Sequence, residues 1–200
     1  MHVSLCAALL LLGAACSGTP RATAQAEDVR EGLLQRVGRD QALRDTLTSA
    51  MRASGGGVDT ALARRVMSQD STHTLWLRQV LPASGWFRAT DVRADGMAAA
   101  FLLLQHATDT TLQVAALPAL KAGVARGEVL GQDYALLADR IASHRGEAQS
   151  YGTQAELRDG RVIFLPIKDS GAVDVRRAEL GLPPLATYAR VLDSVFRGAR

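Results

Sequence analysis

Two cysteines occur in this chain, Cys6 and Cys16, and both lie close to its N-terminus. Everything after them therefore lacks a thiol for an internal disulfide, a thiolate zinc site or a cysteine nucleophile, and must fold by packing alone. Aromatic residues make up only 4%, which leaves no stacking platform for single-stranded nucleic acid. The net charge of +3 and the pI of about 9.2 do not point to nucleic acid either, because the basic residues are spread out and interleaved with acids. No apolar run reaches the roughly 20 residues of a membrane-spanning helix. Also missing are a Gly-rich phosphate loop, a Gly-x-Ser-x-Gly elbow, a His-Glu-x-x-His pair and any clustered metal-ligand spacing. Beyond His2, the histidines His73, His106 and His144 stand far apart in the chain, so neither a metal nor a cofactor is expected.

What is present begins with a leader. Leu5 to Ala15 is an unbroken run of apolar and small residues, the length of a secretory h-region. Residues 1–24 read as a signal peptide, with Ala22-Thr23-Ala24 as the small-x-small site before Gln25. Leu12-Gly13-Ala14-Ala15-Cys16 also resembles a relaxed lipobox, in which case the leader is 1–15 and Cys16 carries the lipid. The first basic residue is Arg21, which is late for a leader. The expectation is an exported protein, periplasmic or tethered to the membrane through Cys16, with no nucleic-acid partner. Residues 25–200 then form one domain, for which 48% hydrophobic and 22% charged residues are ordinary globular values.

Within that domain helix signals dominate. Val29, Leu33, Leu34, Val37, Leu43, Leu47 and Met51 recur at helical steps with a slip near Gly38, which describes one amphipathic helix or two, ended by Ser54-Gly55-Gly56-Gly57. Asp59 is placed to cap a second helix, whose apolar face continues as Leu75, Trp76, Val80 and Leu81 after a possible interruption at Asp70-Ser71-Thr72. Met97 to Ala107 is apolar nearly all round, which predicts a central buried helix ending in the polar pair Gln105-His106. Asp109 caps a helix through Ala125 that contains Pro118, a kink site because proline lacks the backbone donor. Another helix runs from Gln132 to Ser143. Tyr151–Leu157 and Arg161–Ile167 flank Asp159-Gly160, a hairpin turn dipeptide, with Val162, Phe164 and Ile167 on the apolar side. Asp174 is read as the cap of a short helix stopped by Gly181. Pro183-Pro184 opens a last one, with Leu185, Tyr188, Val191, Leu192, Val195 and Phe196 inside. The fold class is mainly α: a compact multi-helix single domain with a small β-hairpin near residues 151–167.

Several polar pieces stand in a definite order and spacing: Asp40-Gln41-x-x-Arg44, Gly85-Trp86, Gln105-His106-Ala107, Tyr134-Ala135-Leu136-Leu137-Ala138-Asp139-Arg140, Gln149-Ser150-Tyr151-Gly152-Thr153-Gln154, and Arg176-Arg177-x-x-x-Gly181-Leu182 with Tyr188. Together they resemble the uncharacterised DUF6624 family over most of the chain after the leader. Phe87 stands where the resemblance implies proline, and Arg93 where it implies glycine. The family has no established activity, so the resemblance implies a shared architecture and site without a substrate.

The residues themselves narrow the chemistry. Gln105 and His106 end a helix too apolar to be exposed, so they either staple the core or border a pocket, because an unpaired buried polar group costs about 1–3 kcal/mol. With Asp139, Arg140, Gln149, Tyr151 and Gln154 they make a candidate ligand-binding set of amides, a phenol, a carboxylate and a guanidinium. Only His106, Asp139 and Tyr151 could move protons. Each also has a plain structural reading: His106 meets free helix carbonyls, Asp139-Arg140 is an ion-pair or cap network, Gln149 to Gln154 fasten a loop, and Arg176-Arg177 is a solvated face. Three functions follow. One is a binding domain for an unknown polar ligand or envelope protein. Another is an enzyme of unrecognised type, such as a hydrolase with His106 as general base oriented by Asp139 or Asp109. The third is a structural lipoprotein.

Overall fold

In the computed structural model, residues 20–158 and 161–198 are described. Residues 1–19, which include the apolar run and Cys16, and the Asp159-Gly160 turn lie outside the described residues. Seven α-helices follow in order: α1 Pro20–Ala53, α2 Thr60–Val80, α3 Ala89–Gln105, α4 Thr110–Ala125 and α5 Gly131–His144, then, after the strands β1 Ala155–Arg158 and β2 Arg161–Phe164, α6 Val173–Glu179 and α7 Leu185–Gly198. The mainly α architecture with one small antiparallel hairpin is as the sequence implies. The register pairs Ala155 with Phe164 and Arg158 with Arg161.

The core lies around α3. Ala100, Leu103 and Leu104 are at most 1% exposed, and Leu33 of α1, Leu77 of α2, Leu120 of α4 and Leu137 of α5 pack around them. Each such leucine contributes roughly 1.5–3 kcal/mol by leaving water. α1 and α2 approach closely at Gly32, where an added Cβ would sit 2.8 Å from the Trp76 ring. The guanidinium of Arg36 covers that ring at 3.7 Å, so the crossing combines close packing with a cation–π contact.

Several boundaries differ from the sequence reading. α1 continues through Gly38, because one glycine in a long helix costs only about 1 kcal/mol and the inward-facing residues on either side of it, Leu33 and Asp40, are buried. Asp70-Ser71-Thr72 does not interrupt α2. The hydroxyls of Ser71, Thr72 and Thr74 donate back to the carbonyls of Met67, Ser68 and Asp70, which keeps these residues compatible with the helix. Leu75 faces solvent, and the buried face of α2 is Val66, His73, Thr74 and Leu77. Val191 is likewise exposed rather than inside α7. Asp174 does not cap α6; it sits in the first turn and its Oδ1 accepts the Leu185 amide at 2.7 Å, fastening the start of α7. Asp59 and Asp109 do cap α2 and α4, each accepting two amides of the first turn.

α3 is irregular where it begins. Arg93 has φ 59° and ψ 175° inside the helical span, a region that suits glycine and strains an L side chain. This is the position at which the resemblance implies glycine.

Candidate functional site

The candidate site forms where α3 ends. His106 follows the last helical residue, and the carbonyls it leaves behind are taken up by two side chains from elsewhere. The Gln113 amide of α4, itself buried, donates to the carbonyls of Leu104 at 3.1 Å, Ala107 at 3.3 Å and Gln105 at 3.4 Å. Arg140 of α5 donates to the Gln105 carbonyl at 2.6 Å. The helix end is thus pinned, and the imidazole beside it has a defined position.

That imidazole meets α1. His106 Nδ1 lies 2.9 Å from Oδ2 of Asp40, whose side chain is 1% exposed. Asp40 is also an acceptor for Gln41 Nε2 at 2.7 Å and Arg44 Nε at 3.1 Å, and Arg44 reaches on to Asp70 of α2 at 2.6 Å. A carboxylate already surrounded by donors can only accept, so the proton of neutral His106 sits on Nδ1 and the Nε2 lone pair is free. Nε2 has no protein partner among the described residues, and the ring borders an open cleft of about 360 Å³ together with Arg44, Asp70, Thr108, Arg140 and His144. Burial, reinforced by the Arg44 charge and opposed by Asp40, holds His106 below the usual histidine range. Burial likewise raises Asp70, against the pull of Arg44, and disfavours the charged form of Arg140, with Arg44 adding to it. Arg140 has no carboxylate partner among the described residues.

Ligand atoms of Asp40, Asp70 and His106 lie within 4.8 Å of one another, a spacing that a cation can bridge. The guanidinium of Arg44 already bonds both carboxylates, so a metal would have to displace it.

The remaining candidates converge elsewhere. Asp139, fully buried, points away from the cleft and binds the loop after α5. Its Oδ1 accepts the amides of Ser150 at 2.7 Å and Tyr151 at 3.0 Å, and its Oδ2 accepts the amide and hydroxyl of Thr153 at 2.9 and 3.0 Å. Gln149 holds the same loop closed, donating to the carbonyls of Gln154 and Leu165 while accepting the Gln154 amide. Gln154 in turn donates to Leu136 and Thr153. Tyr151 packs edge-on against Tyr134, with its phenol pushed up to about 12, chiefly by burial. Gly152 has φ 68°, a conformation that strains any L side chain, and a Cβ there would also press on the Leu185 side chain at 2.7 Å. Arg177 is not on a solvated face: it is 1% exposed, bonded to the carbonyls of Tyr151 at 2.6 Å and Pro183 at 2.7 Å, and stacked over Tyr188. Arg176 bonds the Ser150 carbonyl at 2.8 Å. Asp109 is occupied as the cap of α4 and pairs with Arg78.

Of the sequence candidates, then, Gln105, His106 and Arg140 share the cleft, whereas Asp139, Gln149, Tyr151 and Gln154 share the loop network. Asp40, Arg44 and Asp70 were not among the candidates. The available signal was the Asp40–Arg44 pair at i and i+4 on an otherwise apolar helical face.

A small helical domain with a buried carboxylate–histidine pair opening on a polar cleft is the class that this fold and site define. The chain belongs to the family of unknown function DUF6624, whose model matches residues 27–198. No curated protein and no solved structure matches it.

Proposed function

We propose that this is an exported or lipid-anchored protein whose cleft at the end of α3 binds a small polar ligand through oxygen acceptors, with His106 able to take a proton from it. The observation that carries this reading is the pairing of an open Nε2 with a carboxylate-free guanidinium, His106 and Arg140, beside a single cleft. A purely structural histidine needs neither. Arg140 would hold an acceptor oxygen, and His106, kept neutral by burial and oriented by Asp40, would act as general base at the adjacent hydroxyl or water. That geometry also favours the enzymatic version of the reading, a hydrolase in which Asp40 takes the orienting role.

The test is an NMR titration of the His106 ring with inorganic phosphate and with acetate as probes. Saturable shifts, weakened about tenfold in Arg140→Met, are expected from loss of one charge-assisted contact. Ring signals that do not respond to either anion would sink the binding reading. Hydrolysis of p-nitrophenyl esters that is lost in His106→Gln while phosphate still binds would favour the enzyme. Intact mass from the native host tests export: the expected chain starts at lipidated Cys16 or at Gln25, and one retaining Met1 would overturn it.

A further inference from the structure

A second cavity lies nearer the start of α3, between its first half and the α4–α5 connection. It encloses about 330 Å³ and is walled by Trp86, Met97, Phe101, Val129 and Leu130, with Asp133 among them. Trp86 is 2% exposed and Phe101 7%, so the floor is rigid core, while Leu130 at the lip is 70% exposed. The other acid on the wall, Glu128, is met by Arg88 at 2.9 Å and Arg126 at 2.6 Å. Asp133 is half-buried, and its carboxyl has no hydrogen bond or ion pair among the described residues. Burial alone pushes that carboxyl up to about 6.

An apolar cavity of this size falls at the small end of ligand pockets, which run about 300–1,000 Å³ and place a few polar groups among apolar walls. Its one unmet charge is negative. An occupant that buries an apolar body against Trp86, Met97 and Phe101 while presenting a cation would supply the partner that the protein withholds from Asp133.

We infer that this cavity is a binding site for a small organic amine with an aromatic or branched apolar body, its ammonium group paired with Asp133. The site is separate from the His106 cleft, and Trp86, which has no part in that cleft, lies in its floor.

The test compares 2-phenylethylamine with 2-phenylethanol on the full-length protein at pH 7.5, following the Trp86 indole signal by nitrogen–proton NMR. The amine is expected to bind about tenfold more tightly than the alcohol, the contribution of one charge-assisted contact. Asp133→Asn is expected to erase that difference while leaving the alcohol unaffected. Ala98 lines the cavity from an exposed position, so Ala98→Phe should leave the fold intact and exclude both probes. Equal affinity of the two probes for the unaltered protein, a preference that survives Asp133→Asn, or no response of Trp86 to either probe would each overturn the inference.

Discussion

Asp139 and Arg140 are neighbours in the chain and opposites in role. Successive residues on an α-helix point about 100° apart, so one side chain of α5 turns toward the loop after it and the other toward the end of α3. On the loop side, the carboxyl of Asp139 and the amide of Gln149 have their hydrogen-bonding capacity spent on backbone. On the cleft side, among the described residues, His106 keeps Nε2 open and Arg140 has no carboxylate. Similar residue types therefore do different work, and the difference lies in whether capacity is left over. A saturated network holds a shape, whereas an unsaturated one can hold a ligand.

The most direct way to break this comparison is to remove its saturated side. Asp139→Ala strands three amides and a hydroxyl in a buried loop, which should cost about 3–5 kcal/mol in urea unfolding. Asp139→Asn, which keeps one acceptor oxygen, should cost less. A loss under about 1 kcal/mol would mean that water reaches the loop amides and that the network is not what fixes it.

On the unsaturated side the effect should fall on binding. Replacing Arg140 by Met or His106 by Gln should change stability by only about 1 kcal/mol, since each gives up one protein hydrogen bond. Arg140→Met should nevertheless weaken phosphate or acetate binding about tenfold, whereas His106→Gln should leave anion binding in place, because a neutral ring with an open lone pair gives an anion no donor. Large destabilisation by His106→Gln, or unchanged anion binding in Arg140→Met, would erase the contrast.

Asp133 offers a third environment, apolar and unpaired, with a sign of its own. Its folded value is raised from 3.8 to about 6, so the folded state holds the proton more tightly than the unfolded chain does. Stability is then lost as pH rises from 3.8 through about 6, the reverse of a salt-bridged aspartate. Above that window Asp133→Asn should stabilise by about 1–2 kcal/mol, discounted for partial exposure. Equal urea midpoints for the two proteins at pH 7.5 would show that the carboxylate is solvated.

The smallest effect is expected far from both networks. Arg93→Gly relieves a side chain held at φ 59° and should raise stability by about 1 kcal/mol. The exposed pairing of Arg93 with Glu27 that it gives up is worth little. Loop and cleft should be untouched, which makes the variant a control for the other three.

By itself the sequence determined the element types. Apolar periodicity marks α1, an all-round apolar run marks α3, Asp59 and Asp109 mark the starts of α2 and α4, and Asp159-Gly160 between extended segments marks the hairpin, because each signal is local and needs no partner elsewhere. It also placed Gln105 and His106 at the end of a buried helix and named Arg93 as a misfit, since burial and backbone preference are legible from composition and from the resemblance. Only the tertiary structure decided that Asp40, more than sixty residues away from His106, is its partner, that Asp139 and Arg140 part company, and that Arg177 is buried. Those outcomes depend on which helix face meets which neighbour. A periodic pattern states that a face is buried; three-dimensional packing sets what it is buried against, and for a polar side chain that neighbour decides between a staple and a site.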